Sequence, residues 1–151
     1  MPHKTEVPGQ IGEMRAIEFF LNHGWEVDVP VLRSSSYDIH VHKGSRNFFV
    51  QCKYRRVYKG VVQIKNRRIR NRGISYEYDK DKIGIFTVFV PTLNQGRGLL
   101  LVIPSERMNK SLSIRVEESR NGQKCLTNKA SEFINPKWIL DEKKSNVDDP
   151  G

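Results

Sequence analysis

Apolar residues recur at 11, 14, 17 and 21, with Phe20 beside them, and this spacing predicts a first helix over 10–23. "NHGW" closes it, with Gly24 just past its end. The period then drops to two. "WEVDVPVL" reads as a short strand stopped by Pro30. Residues 37–42 and 47–54 read as two strands joined by "KGSR", a four-residue turn containing glycine. Residues 61–69 give another extended, heavily basic piece. Residues 83–90 (IGIFTVFV) and 98–103 (GLLLVI) are continuous apolar runs, the pattern of central strands buried on both faces. "PSERM" reads as a short helix with Ser105 near its N-terminus. Weaker strand signals lie at 112–117 and 133–140, and residues 141–151 read as a disordered tail. A helix, a hairpin and further strands predict one α/β (α+β) domain over 1–140 with a mixed sheet.

Charge changes this picture more than composition does. The chain has 26 Lys and Arg against 17 Asp and Glu. Between residues 39 and 76 there are 11 basic residues and no acid, which leaves 15 basic against 17 acidic elsewhere. A one-sign block of this length fits a polyanion better than a solvated face, so nucleic acid is the expected partner. No apolar run approaches the ~20 residues of a membrane helix, and the opening "MPHKTEVPGQ" has no signal-peptide pattern. Cys52 and Cys125 form no metal or disulfide pattern, so the expected compartment is a reduced (bacterial) cytoplasm or nucleoid.

Strand alternation gathers the candidate chemistry. Asp38, His40 and His42 share one face of the first hairpin strand; Phe49, Gln51 and Lys53 share one face of the second. Closing the turn with His42 opposite Asn47 keeps paired indices summing to 89. Asp38 is then expected to face Gln51, with roughly 4.5–5.5 Å between Cβ atoms, and Lys53 diagonally. A carboxylate, an amide oxygen and an ammonium together suit phosphodiester hydrolysis. Asp38 is a hard oxygen ligand for Mg²⁺, with Mn²⁺ as its substitute; Gln51 and the Cys52 carbonyl extend the oxygen shell. Lys53 stabilises charge on phosphate or orients and deprotonates the attacking water. The first helix offers a further carboxylate, Glu13 or Glu18, and spacing does not choose between them. His40-x-His42 has the form of a metal-binding pair, with no third ligand visible in the sequence. Cys52 is expected to face the core, and Asp79 and Asp81 to serve as capping or loop residues.

With these residues in place, "GEMRAIEFFLNHGWEV…SYDIHVHKGSRNFFVQCKYR" resembles the core of the PD-(D/E)XK, or restriction-endonuclease-like, nucleases. That resemblance implies a mixed central sheet flanked by helices. It favours Glu13 over Glu18, matches Asp38 to the family's aspartate and Lys53 to its lysine, and makes Gln51 a neutral replacement for the second acid. Tyr37 stands where the motif has proline. Size, the basic segment after the lysine and "YEYDKDKIGIFTVFV" are most similar to the group I intron-encoded homing endonucleases of this fold. The resemblance therefore implies a site-specific endonuclease of double-stranded DNA, with Holliday-junction resolvases and Mrr-like restriction nucleases as neighbours on the same core.

The segment 54–73 leaves the presumed active-site strand directly. Its basic residues Arg55, Arg56, Lys59, Lys65, Arg67, Arg68, Arg70 and Arg72 interleave with valines and isoleucines, as in an added β-ribbon that enters a major groove. Gln63 and Asn66 are the candidates for reading adenine; half or more of the contacts are expected to reach phosphate or sugar. Cutting both strands calls for at least a homodimer, with a tetramer as the larger option. From another class altogether, a non-catalytic basic nucleic-acid-binding module has the same charge block and no cleavage.

Overall fold

A computed structural model describes residues 6–32, 35–69, 75–77, 82–108, 111–116 and 128–140. The first helix, α1 (Glu6–Asn22), starts earlier than the periodicity predicts. It ends in a Schellman motif: Gly24, at φ +81°, donates to the Leu21 carbonyl, and Trp25 donates to the Phe20 carbonyl at 2.9 Å.

The face of α1 that meets the sheet is not the expected one. Its buried residues are Gly12, Ala16 and Phe20, whereas Ile11 and Leu21 are exposed and Met14 is 66% exposed. Close approach explains the difference. A Cβ on Gly12 would lie 3.0 Å from the Lys53 carbonyl oxygen. The helix backbone therefore rests almost directly on the strand, and only small residues fit between.

The main sheet has five strands: β1 (Glu26–Asp28), β2 (Ile39–Lys43), β3 (Arg46–Tyr54), β7 (Ile85–Val90) and β8 (Leu99–Pro104). They lie side by side in the order β1-β2-β3-β7-β8. β3 and β7 run parallel and the other pairs antiparallel, so the sheet is mixed as expected. The hairpin closes in the predicted register: His42 pairs with Asn47 and Ile39 with Val50. β7 is buried along its whole length, as its sequence demands. β8 corrects an expectation, because it lies at the sheet edge; its apolar run is explained by Leu101, Val102 and Ile103 packing on both faces.

Between β3 and β7 the expected extended piece over 61–69 divides in two. β4 (Val61–Lys65) pairs with β9 (Ser111–Arg115), which also meets β10 (Asn128–Lys129); β5 (Arg67–Ile69) pairs with β6 (Ser75–Glu77). A tight turn precedes β4, where Lys59 (φ +51°) and Gly60 (φ +75°) reverse the chain and Tyr58 and Val61 exchange backbone hydrogen bonds. Ser105–Arg107 forms a 3-10 turn as expected. The strand expected over 133–140 is instead helical: a 3-10 turn at Ala130–Phe133 and then α2 (Lys137–Leu140). Pro136, whose carbonyl accepts from Ile139 and Leu140, sets that last turn.

Two hydrophobic layers cover the main sheet. Ala16, Phe20, Trp25, Ile39, Val41, Val50, Ile85, Val102 and Ile139 form one, under α1 and α2. Phe86, Val88, Leu101 and Ile103 meet Val62 and Ile64 of β4 and Leu112 and Ile114 of β9 in the other. Arg46 ties the first layer together, donating to the Trp138 carbonyl with its guanidinium over the Trp25 ring. No helix among the described residues is long and apolar enough to cross a membrane.

Candidate active site

The site sits where the two neighbours of β3 stop matching. β2 pairs with β3 only as far as Val50, while β7 pairs with it from Val50 to Tyr54. Residues 51–54 therefore have a strand on one edge and none of β2 on the other. Asp38 fills the start of that gap. Its N–H donates to the Val50 carbonyl at 2.9 Å, and its Oδ2 accepts the Cys52 N–H at 2.8 Å. The register is the expected one, but Asp38 lies outside the ladder and turns toward the backbone of Cys52 rather than standing opposite Gln51. Within a strand the N–H and C=O of one residue point to the same edge, so the Cys52 carbonyl faces the side that Asp38 occupies.

Glu13 reaches the same place from α1, one residue after the glycine that rests on Lys53. Burial raises its carboxyl above the ordinary range, and the Asp38 charge raises it further. Two carboxylates thus share a half-buried site. Glu18 does not: it is exposed and pairs with Arg15 at 3.7 Å. Of the two helix carboxylates, Glu13 is the one on which the Asp38 charge acts.

Gln51 and Lys53 project toward the layer of Phe86 and Val88, their β7 partners. Lys53 is only 8% exposed. Burial, and then the charge of Arg55, lower its ammonium to about 8, against the partial opposition of Asp38. Cys52 takes the other face, with Phe48 and Val50. Burial first, and the Asp38 charge second, push its thiol well up, so it is inert near neutrality.

Gln51 supplies the test of whether a cation fits. Its Oε1 is buried and accepts no hydrogen bond among the described residues. A buried acceptor without a partner costs about 1–3 kcal/mol. A divalent ion among Asp38, Gln51, Glu13 and the Cys52 carbonyl would meet that acceptor and separate the two carboxylates. All four donors are oxygens, the set that hard cations take.

The basic segment divides by exposure. Arg56 and Lys59 are exposed, as are Gln63 and Lys65, which alternate with buried Val62 and Ile64 on β4. Arg55 is half-buried, its N–H bonded to the Phe89 carbonyl and its Nη1 to the Tyr54 carbonyl. Asn66 departs from the expectation: it is 2% exposed, between β4 and β5, and is not on the outward face. Arg67 and Arg68 lie in β5. Arg70, Arg72, Asp79, Asp81, Cys125 and residues 141–151 lie outside the described residues.

A second cluster was only half visible in the sequence. His40 and His42 stand opposite Asp28 and Glu26 on β1, so the pair has the carboxylate neighbours it lacked in sequence. The usable signal was a matching period of two, Glu26-x-Asp28 against His40-x-His42; without the strand pairing it had no address.

No curated protein matches the chain. Among solved structures it is similar to a bacterial homing endonuclease, I-Ssp6803I, with a TM-score of 0.66 and 21% identity over 91% of this chain and 94% of that one. At this identity the likeness establishes the restriction-endonuclease-like fold. The family model for the PD-(D/E)XK endonucleases matches residues 3–135. With nearly the whole described chain inside that match, this protein belongs to the PD-(D/E)XK endonuclease family.

Proposed function

We propose that this nuclease hydrolyses double-stranded DNA at specific sites, using Mg²⁺ (or Mn²⁺ in its place) and acting as at least a dimer. One observation carries the reading. The Oε1 of Gln51, without a partner among the described residues, lies on the strand that holds Lys53 and receives Asp38. Asp38, Gln51 and the Cys52 carbonyl would hold the ion, with Glu13 beside them. When bound, such an ion supplies Lewis acidity toward a phosphate oxygen and toward water.

The chain's own groups do the rest. Lys53, lowered to about 8, exchanges a proton with the attacking water near neutral pH, or as ammonium meets the charge growing on phosphate. Arg55, close enough to depress Lys53, adds a fixed positive charge at the same mouth. Arg56, Lys59, Gln63 and Lys65 give the outward surface of the DNA interface, and Arg67, Arg68, Arg70 and Arg72 extend it along the sequence. The described residues hold one such set, so cutting two strands takes two copies. The homing reading rests on the likeness to I-Ssp6803I together with the basic segment.

The test is incubation with a mixed DNA pool and Mg²⁺, with and without chelator, followed by mapping of the cut ends. Recurrent ends at one sequence that vanish with chelator support the proposal. Binding without any cut ends would make the chain a nucleic-acid-binding module. Preference for four-way junctions over linear DNA of equal sequence would make it a resolvase.

A further inference from the structure

We propose that Asp28, His40 and His42 form a second metal site, separate from the nuclease centre and selective for Zn²⁺-class transition ions. The two strands create it by register. β1 pairs with β2 so that Glu26 faces His42 and Asp28 faces His40, and the period of two puts all four side chains on one face.

The distances suit a small tetrahedral ion. His40 Nδ1 lies 3.3 Å from Asp28 Oδ2, and His42 Nε2 lies 3.2 Å from the same oxygen. Ligand atoms at about 2.0–2.1 Å from a tetrahedral Zn²⁺ are about 3.3 Å apart. The ligand atoms of Asp28, His40 and His42 all lie within 4.8 Å of one another. A small inward turn of the rings therefore completes three bonds and leaves a fourth position open.

The surroundings match as well. His42 directs Nε2 at Asp28 and Nδ1 at Glu26 Oε2, 3.3 Å away. A ligating histidine characteristically donates its second ring nitrogen to a carboxylate, which fixes tautomer and ring orientation. Glu26 fills that role. His40 is held from the other side by the Phe49 ring, with centroids 4.8 Å apart. Two imidazoles and one carboxylate favour Zn²⁺, Ni²⁺ or Cu²⁺ over Mg²⁺, which takes oxygen. The four oxygen donors around Gln51 have the opposite preference, so the sites divide the ions between them.

The ion's physical task is to clip β1 to β2. β1 is a three-residue strand at the sheet edge, at the short end of the usual range of about 3–10 residues. His40 is two residues from Asp38, so securing this strand also secures the end of β2 where Asp38 turns toward Cys52.

Zn²⁺ binding to the full chain, measured by competition with a chromophoric chelator, tests this. Co²⁺ absorption serves as the geometry readout, and circular dichroism confirms the fold of each variant. The expectation is one Zn²⁺ per chain at micromolar affinity or tighter, with tetrahedral Co²⁺ bands. Affinity should fall at least about 100-fold in His40→Gln, His42→Gln and Asp28→Asn, and about 10-fold in Glu26→Gln. Asp38→Asn should leave it unchanged. Absence of Zn²⁺ binding, indifference to the histidine changes in folded protein, or loss in Asp38→Asn would each overturn the proposal.

Discussion

Asp38 accepts the backbone N–H of Cys52 at 2.8 Å, so main chain itself helps to position the carboxylate most suited to a metal. The bond forms because β2 has ended and β3 has not. It places Asp38 beside the Gln51-Cys52-Lys53 run at an open strand edge, where the charge of Glu13 on α1 meets it.

The contact of Gly12 with β3 makes α1 a positioning element. Gly12→Ala puts a methyl 3.0 Å from the Lys53 carbonyl oxygen and lifts the helix that holds Glu13. The strand and helix must give by a few tenths of an ångström, so cleavage should slow by up to about tenfold. DNA affinity, measured by anisotropy, should change less than about threefold.

Gln51→Glu restores a negative charge beside Asp38 and Glu13. Mn²⁺ binding, followed by calorimetry, should tighten. In chelator the same variant should be less stable by about 1 kcal/mol or more, a drop of about 2–4 °C in Tm, because three carboxylates then share the buried edge. A variant more stable than the parent in chelator contradicts this.

Lys53 gives a pH signature. Its folded value of about 8 lies below the ordinary 10.5, so the unfolded chain holds this proton after the folded chain has lost it. Stability against urea should therefore gain a contribution that rises from about pH 8 toward 10.5 and is flat below that window. Lys53→Met removes the proton and should remove the contribution. Equal pH profiles for parent and variant would exclude it.

The hairpin was legible in the sequence down to its register, because period-two alternation and a glycine turn leave few ways to pair the strands. The continuous apolar run of β7 was legible for the same physical reason, burial on both faces. Three features were not. Ile11, Met14 and Leu21 have helical spacing but point outward, since Gly12 and Ala16 make the contact by being small and leave no hydrophobic signal. Residues 133–140 have a strand-like composition, and Pro136 overrides it. The turn of Asp38 out of the ladder depends on where β2 stops, which tertiary packing decides. Of the site residues, Gln51 and Lys53 were placed correctly on one face, whereas Asn66 was counted with the outward residues though packing buries it.

The outward basic residues should appear as salt dependence. Replacing Lys59 and Lys65 by Ala removes two exposed charges that are not in the core. The slope of log affinity against log salt should fall by about 1 for each phosphate no longer neutralised. An unchanged slope would remove this face from the DNA interface.

Chemistry and DNA binding should separate at Asp38 and Lys53. Cleavage rate and DNA affinity measured side by side for Asp38→Asn and Lys53→Ala test it most directly. Cleavage should fall by about a thousandfold or more in each, while affinity stays within about tenfold of the parent. Cleavage that persists in both variants would contradict the account.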